Sequence, residues 1–577
     1  MIYLLSYYLA ASFFCLWTGL LLNAWLPDFS SRGQAAQKPL VSYLITGLVG
    51  LTACGQWLAL LMPLDSRALT FTLALLLLLS IFRWRQINSQ LEKLLLGIGR
   101  PAPFLIFCLA SLLLMVLVLN AGPSLMDDTA SYHIQMVKWL KEFGTVKGIA
   151  NLHLRFGFNS SWFASIALLS PETHRINSYF ALNGLLSLWV CQYLLKHILC
   201  PSGLAGTQSA ERRLLAGFGV LLLCLVNWPM IRGNAGSSGY DFISAACLLV
   251  LFFEFWVNPD SAWQKEWVIW PCFLFTIRMI NFPLLLIPLA CWIVAIKNGK
   301  TIQAATLGIF SLLLVFPFLA RNLLLSGYPL YPLTKPDFFG VDWKADPALV
   351  GELKQYVKYF NRVNPGEIPM RITRTLAFPD WILPWYRHLF RQDQLLVNLS
   401  LLSWPYLWFR RRVVFAAPGS KFFAGVMLLQ LISWFWVAPD PRFVYGPLLF
   451  FVFAALQDIP VPTNIPWRKL RGGLMLLLSV LVLVYATEKV VRDERYRNFI
   501  WPLALPVPAE RELIVDSIAM HIPEKVLDNW NPRCYDLPLP CLYRIDPRLQ
   551  ARGSRIADGF RIDRDRAPAG TGEYFIR

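Results

Sequence analysis

The sequence has little charge for its length, because Asp, Glu, Lys and Arg make up 15% of its 577 residues whereas 56% are hydrophobic. It also lacks a low-complexity tract, a short internal repeat and a Gly-rich phosphate loop, so nothing indicates a nucleotide site of that type. Its apolar residues are gathered into blocks instead of following amphipathic spacing. These features exclude an ordinary soluble domain and indicate a polytopic membrane protein.

The apolar blocks predict transmembrane helices, since roughly twenty apolar residues cross about 30 Å of hydrocarbon. We predict an all-α polytopic membrane protein with about fourteen such helices between Ile2 and Ala486. The predicted runs are 2–26, 41–62, 68–82, 103–120, 176–199, 214–231, 242–257, 267–277, 282–296, 302–319, 395–409, 422–437, 443–456 and 474–485. The stretch 267–296 is interrupted by Arg278, so it is either one broken helix or two short ones.

The formal net charge of +18 suggests a nucleic-acid partner, but much of the surplus lies in short loops between the predicted helices, at residues such as Arg83, Lys297 and Arg411. Basic short loops belong in the cytoplasm. We therefore predict a multi-pass membrane protein, with no nucleic-acid partner, whose N-terminus and C-terminal tail are outside. The first helix has no charged leading region and no small-residue cleavage site, so it is predicted to be retained.

Alternation of helices and polar segments divides the chain into six regions. They are N-terminal transmembrane helices (1–120), a first periplasmic loop (121–175), a central transmembrane bundle (176–322), a second periplasmic loop (323–393), C-terminal transmembrane helices (394–487) and a periplasmic tail (488–577). Nine of the 11 cysteines lie in or beside predicted helices, whereas Cys534 and Cys541 lie in the tail and close a short Pro-rich loop. We predict a disulfide between them over two free thiols.

The first loop carries most of the polar chemistry. Asp127 and Asp128 stand just beyond the apolar run that ends at Asn120, and the segment 129–143 has the pattern of an amphipathic helix lying on the membrane surface. Helix capping explains one of the two aspartates, but not easily both. Two adjacent carboxylates suit a general base for an acceptor hydroxyl, or ligands for a divalent cation such as Mg²⁺ or Mn²⁺.

Other polar residues favour a functional loop over a structural one. The acidic pair is accompanied by His133, Lys147, His153, Arg155 and Asn159. The alternative is structural, in which Arg155 pairs with Asp127 or Asp128 and holds the loop in place. Arginine suits phosphate contact. Four candidates remain, each with an alternative role. Arg321 also fits an interfacial anchor, and Tyr331 also fits an aromatic belt. Asp241 is a candidate partner of Arg278 or only a helix cap, and Arg442 either forms a local ion pair with Asp440 or binds phosphate.

An acidic pair in an external loop ahead of an interfacial helix resembles the GT-C superfamily of membrane glycosyltransferases. A closer likeness is to uncharacterised bacterial membrane proteins with GT-C-like character. The stretches that carry it are Asp128 with Tyr132 and His133, 154–162 (Leu-Arg-Phe-Gly-Phe-Asn-Ser-Ser-Trp), 321–322 (Arg-Asn), 326–332 (Ser-Gly-Tyr-Pro-Leu-Tyr-Pro), 439–443 (Pro-Asp-Pro-Arg-Phe) and 534–541. One departure is that about three helices precede the one that leads into Asp127, whereas the GT-C acidic motif follows the first helix.

The resemblance implies a GT-C-like core and transfer of a sugar from a polyprenyl-phosphate-linked donor to a periplasmic glycan, lipid or protein. It implies that Asp127 and Asp128 are the base or metal-binding pair. The residues expected to contact substrate are Tyr132, His133, Lys147, His153, Arg155, Asn159, Arg278, Arg321, Tyr331 and Arg442. The alternatives are a transporter or flippase of lipid-linked saccharides, for which paired broken helices are expected, and a ligase resembling those of O-antigen.

Overall fold

The computed structural model describes residues 1–28, 38–97, 102–170, 177–199, 207–257, 264–362, 373–460, 467–524 and 533–565. The first predicted loop therefore extends, at 171–175, outside the described residues. The α-helices are α1 Ile2–Trp25, α2 Leu40–Leu61, α3 Ser66–Ile81, α4 Trp84–Gly97, α5 Pro103–Ala121, α6 Ile134–Glu142, α7 Ser161–Leu169, α8 Ala181–Leu199, α9 Thr207–Val226, α10 Ile231–Ala235, α11 Asp241–Val257, α12 Glu266–Ile277, α13 Leu286–Lys297, α14 Thr301–Ser326, α15 Pro347–Phe360, α16 Ile382–His388, α17 Arg391–Val414, α18 Ser420–Val437, α19 Tyr445–Asp458 and α20 Trp467–Arg492.

The all-α prediction is confirmed, and every predicted apolar run overlaps a helix. By length and composition, seven helical segments of the described chain can cross a membrane: Ile2–Trp25, Leu40–Leu61, Pro103–Ala121, Met279–Lys297, Thr301–Ser326, Ser420–Val437 and Leu470–Arg492. An eighth span results if α3 and α4, which meet at 94°, are taken as one. Several other apolar helices are shorter, so the number fourteen stays a prediction.

Helices α1 and α2 cross with their backbones in close contact. A Cβ atom on Gly19 would lie 1.9 Å from the carbonyl oxygen of Tyr43, and one on Gly47 would lie 1.7 Å from that of Cys15. Small residues permit this close packing. Between apolar helices in a membrane, such packing is an important source of stability, because burial away from lipid contributes little to helix association. The N-terminal pair is therefore fixed by shape.

The N-terminus, both long loops and the tail meet at one end of the helix bundle, which we call the loop face. The Met1 amine donates to the Asn498 carbonyl at 3.0 Å, and the Phe560 N–H donates to the Lys147 carbonyl at 3.0 Å. Arg548 pairs with Asp346 of the second loop at 3.0 Å. In the described chain these four parts therefore lie together at the loop face.

The helix expected on the membrane surface is instead buried. Residues 127–142 form a continuous helical stretch in which Thr129–His133 is a π-turn and α6 follows. Every α6 residue from Ile134 to Leu140 is buried, and this includes Gln135 and Lys138. The prediction of a surface helix was wrong because α7 covers one side of α6 while the polar side is covered by the tail.

The tail is small and contains the few strands of the described chain. Strands β1 Glu510–Val515 and β2 Ile518–Pro523 form one antiparallel hairpin, and β3 Leu549–Ala551 pairs with β4 Phe560–Ile562. The predicted disulfide is confirmed, since Cys534 and Cys541 are bonded. The tail therefore has a covalently closed loop next to the helix bundle.

Candidate functional site

The acidic segment is held in place by the end of α5. Asn120 accepts from the Tyr8 hydroxyl at 2.9 Å and donates to the Phe180 carbonyl at 3.1 Å and to the Ala235 carbonyl. Leu125 N–H then donates to the Gly236 carbonyl at 2.9 Å. These bonds fix the chain before and after its exit from α5, so the position of Asp128 is determined by several helices at once.

Asp128 lies at the centre of a group of alternating charges. We call this group the arginine–aspartate cluster, and its members are Asp128, Arg155, Asp241, Arg278, Asp440 and Arg442. Arg155 Nη1 is 3.3 Å from Asp128 Oδ1, and Arg442 Nη1 is 3.3 Å from Asp128 Oδ2. Each carboxylate oxygen of Asp128 thus faces one guanidinium group, and its side chain is 26% exposed.

The other half of the cluster joins three breaks between helices. Arg442, in the 3₁₀ turn Pro441–Phe443 between α18 and α19, contacts Asp440 at 2.8 Å through Nε and Asp241 at 3.8 Å through Nη1. Arg278, at the break between α12 and the segment Met279–Lys297, pairs with Asp241 at the start of α11. The predicted partner of Arg278 is therefore confirmed, as is the local Asp440–Arg442 pair.

Arg278 retains unused hydrogen-bonding capacity. Its guanidinium carbon lies 4.6 Å from the ring centre of Tyr240 and 4.1 Å from that of Phe443. Its Nη1 is buried and has no hydrogen-bond partner among the described residues. A buried charged donor without an acceptor is costly, so this group suits an oxyanion acceptor.

Aromatic rings form the inner wall of the cluster. The hydroxyl groups of Tyr132 and Tyr240 are 3.4 Å apart, and the Arg155 guanidinium carbon lies 5.5 Å from the Tyr132 ring centre. His133 lies 4.3 Å from Tyr132 and 5.4 Å from Tyr240, measured between ring centres. Its Nδ1 is 3.3 Å from Thr129 Oγ1. These rings are buried and cover this side of the cluster, and the hydroxyl groups of Tyr132 and Tyr240 are polar contacts there.

The environment shifts the pKa values of three of these groups. Burial alone would raise the pKa of Asp128, but the positive charges of Arg155 and Arg442 outweigh it and lower the pKa to about 2. Burial lowers the pKa of His133 to about 4, against the opposing effect of the Asp128 charge. At neutral pH the cluster therefore contains an ionised Asp128 beside an uncharged imidazole. Burial also raises the pKa of Asp440.

The two adjacent aspartates face different partners. Asp127 is 69% exposed and accepts from Arg533 Nη2 of the tail at 2.7 Å. Asp128 caps no backbone N–H, so the capping explanation was wrong for it. The alternative for Arg155 was an ion pair with Asp127 or with Asp128, and the structure contains the ion pair with Asp128.

The donor set does not fit a divalent cation shared by the aspartates. Hard cations need several oxygen ligands, whereas Asp127 pairs with Arg533 and both oxygens of Asp128 face arginines. Within the described residues, no group of three or more His, Cys, Asp or Glu side chains is arranged to hold a metal ion.

Five predicted substrate-binding residues are not members of the cluster, and of these His153 contacts a cluster residue, Arg155. Lys147 lies 5.1 Å from the Trp343 ring centre, His153 accepts from Arg155 N–H at 3.0 Å, Asn159 donates to the Phe318 carbonyl at 3.2 Å, Arg321 donates to Thr145 Oγ1 at 3.3 Å, and Tyr331 donates to the Leu154 carbonyl at 2.7 Å. Arg321 is fully buried, so the alternative of an exposed interfacial anchor was wrong.

Sequence reasoning did not single out Tyr240 and Phe443 as site residues. Both rings contact the guanidinium group of Arg278, and Tyr240 also faces Tyr132. Their neighbours gave the only signal, because Tyr240 precedes Asp241 and Phe443 follows Arg442. An aromatic residue beside a charge is too common in membrane proteins to be selected on that basis.

Comparison with known proteins places all six cluster residues within a family match. A family model described as "Domain of unknown function (DUF8201)" matches residues 1–449, which is well over half of the chain. The chain belongs to this family. No curated protein and no solved structure matches it. The tail from Glu510 to Ile562, with its four strands, lies beyond the residues that the DUF8201 model matches.

Proposed function

We propose that this DUF8201 chain is a membrane glycosyltransferase that moves a sugar from a polyprenyl-phosphate-linked donor to a glycan, lipid or protein acceptor. The observation that carries this proposal is the arginine–aspartate cluster at the loop face. It combines three guanidinium groups with an ionised Asp128, and Arg278 Nη1 has no acceptor among the described residues. Guanidinium groups are well suited to bind phosphate oxygens.

An apolar surface next to the cluster supports a lipid-linked donor. The candidate span Met279–Lys297 begins one residue after Arg278. Phe282, Leu286 and Leu289 recur along it at helical spacing and are 49%, 39% and 47% exposed. A phosphate bound at Arg278 would therefore leave its isoprenoid chain free to run along an apolar helix face within the membrane.

The proposed reaction uses Asp128 as the base. The acceptor oxygen attacks the anomeric carbon and forms the new glycosidic bond while its proton passes to the Asp128 carboxylate. The bond between the anomeric carbon and the phosphate oxygen breaks, and its electron pair stays on the polyprenyl phosphate. Arg155, Arg278 and Arg442 stabilise the charge that develops there.

Donor binding would also activate the base. With a pKa of about 2, Asp128 is too weak a base in the resting cluster. A donor phosphate that takes hydrogen bonds from Arg155 and Arg442 would withdraw the interactions that lower this pKa. The pKa of Asp128 would then rise on donor binding, so that Asp128 becomes a stronger base at the step in which the acceptor hydroxyl loses its proton. Asp127 lies outside this arrangement, so we assign the catalytic role to Asp128.

The same proposal includes the membrane setting. It takes the loop face as the periplasmic side of a bacterial inner membrane, so that the acceptor enters beside the tail. It also takes the core as GT-C-like, with the shorter apolar helices completing about fourteen spans. The basic short loops support this orientation, because residues such as Arg83 and Lys297 follow α3 and end α13.

Transfer of a radiolabelled sugar from polyprenyl-phosphate donors tests the proposal. Membranes containing the wild type, Asp128→Asn or Asp127→Asn are compared at matched amounts of folded protein. We expect transfer by the wild type, a loss of at least about 100-fold in Asp128→Asn, and near-normal transfer in Asp127→Asn, because a positioned general base contributes about 10²–10⁴-fold.

Two results would overturn this assignment. Wild-type membranes that transfer no sugar across a broad donor and acceptor panel, while they move the lipid-linked saccharide across vesicles, would favour the transporter alternative. Full activity in Asp128→Asn would contradict its role as base and favour a ligase that works through arginine and histidine.

A further inference from the structure

The disulfide-closed segment 534–541, which we call the tail loop, packs directly on the helical stretch that contains Asp128. Tyr535 N–H donates to the Ala130 carbonyl within the π-turn at 3.2 Å. Gln135 Nε2 donates to the Cys541 carbonyl at 3.3 Å. The tail loop thus contacts backbone and side chains over the first turns after the acidic pair.

Lys138 makes the strongest connection. Its side chain is buried, and its ammonium group donates to the Leu537 carbonyl at 2.8 Å and to the carbonyl and Oδ1 of Asp536 at 3.2 Å each. An ammonium group has three N–H donors, so the tail loop supplies an acceptor for each. Without the tail loop, a buried charge on α6 would lose these partners, which is costly.

The disulfide keeps these acceptors in place. Tyr535 has a φ of 43°, a left-handed conformation that a residue with a side chain rarely adopts. The far end of the tail loop is fixed to β2, where His521 N–H donates to the Pro540 carbonyl at 3.0 Å and Leu542 N–H donates to the His521 carbonyl at 2.9 Å. Cys534 has its covalent link to this fixed end through Cys541.

We propose that the tail loop is a redox-dependent positioning element for the acidic helical stretch 127–142. With the disulfide intact, the tail loop holds the π-turn and α6 through Ala130, Gln135 and Lys138. A dithiol reductant converts Cys534 and Cys541 to two thiols, with two electrons and two protons, and is itself oxidised to a disulfide. The opened tail loop then releases Lys138 and loosens the stretch that bears Asp128.

This inference does not depend on sugar transfer, because it follows from packing between the tail and α6. It concerns residues 534–541, which lie beyond the region that the DUF8201 model matches. If the protein proves not to transfer sugar, the proposed role of the tail loop is unaffected. If the tail loop proves not to position 127–142, the transferase proposal is unaffected.

Amide hydrogen exchange measured by mass spectrometry tests the inference on the full chain in detergent micelles. The samples are the oxidised wild type, folded wild type treated with dithiothreitol, the double variant Cys534→Ser with Cys541→Ser, and Lys138→Met with the disulfide intact. Peptides from 127–142 should exchange about tenfold faster or more in the last three samples than in oxidised wild type, because their local opening becomes easier.

Arg555→Gln is the matched control, since Arg555 is an exposed tail residue that pairs with Asp558. We expect oxidised wild-type rates in this variant, and unchanged exchange in peptides from α2 and α5 for every sample. If the double variant does not fold, exchange in folded wild type treated with dithiothreitol shows whether loss of the disulfide loosens 127–142. The inference is overturned if peptides from 533–542 exchange faster on reduction while 127–142 does not, or if Lys138→Met leaves 127–142 unchanged.

Discussion

Replacement of Asp128 and Asp127 by asparagine should affect stability very differently, although the residues are adjacent. Asparagine resembles the protonated form of aspartate in shape and charge. The pKa of Asp128 is lowered from 3.8 to about 2, and one pKa unit corresponds to 1.36 kcal/mol. Asp128→Asn should therefore destabilise the folded chain by about 2 kcal/mol near neutral pH.

Asp127→Asn provides the comparison at the next residue. Its ion pair with Arg533 joins side chains that are 69% and 40% exposed, and such surface pairs contribute about 0–1 kcal/mol. Unfolding in mixed detergent and dodecyl sulfate micelles, followed through tryptophan fluorescence, measures both variants against wild type. The chain contains 23 tryptophans, so the signal is strong.

The pH dependence of the Asp128→Asn effect follows from the direction of the pKa change. A carboxyl whose pKa is lowered by folding stabilises the protein above its unfolded pKa and loses this contribution as pH falls through the folded value. The difference between wild type and Asp128→Asn should stay constant from about pH 8 to 5 and shrink only between about pH 4 and 2. Equal losses for both variants, or a difference that shrinks between about pH 8 and 5, would contradict stabilisation of the Asp128 carboxylate by its arginines.

Three further predictions concern other charged groups. Arg278→Gln should lower kcat/KM for sugar transfer by about 10–100-fold, because it removes charged hydrogen bonds, whereas Arg533→Gln should leave it nearly unchanged. His133 should remain uncharged down to about pH 5 in a ¹⁵N-histidine NMR titration, since its pKa is about 4, and a transition near pH 6.5 would contradict its burial. Lys38 is buried, and its ammonium group lies 2.9 Å from the Glu266 carboxylate. The Lys38→Met substitution should therefore lower the free energy of unfolding by about 3 kcal/mol. Arg492→Gln, at the exposed end of α20, should lower it by less than about 0.5 kcal/mol.

Hydropathy and local spacing predicted much of this molecule. The apolar runs located the helices, because helix boundaries in a membrane follow where apolar residues begin and end. The Cys534–Cys541 disulfide and the Arg278–Asp241 pair followed from local rules on thiols and on charges within apolar surroundings.

Contacts between distant segments could not be predicted in this way. The helix α6 was expected at the membrane surface because its polar residues, such as Lys138, have no partner near them in sequence. Its partners Asp536 and Leu537 lie about four hundred residues later. In the same way, Arg442 reaches Asp128 across 314 residues, so a single sequence could name both residues as candidates but not join them.

Binding of a polyprenyl phosphate to the purified chain, measured by native mass spectrometry in detergent, tests whether the arginine–aspartate cluster is a phosphate site. We expect binding to the wild type and at least about tenfold weaker binding to Arg442→Gln. Arg533→Gln, which replaces the arginine that pairs with Asp127, should bind as the wild type does. Equal binding to all three proteins, or no binding to wild type, would contradict a phosphate site at the arginine–aspartate cluster.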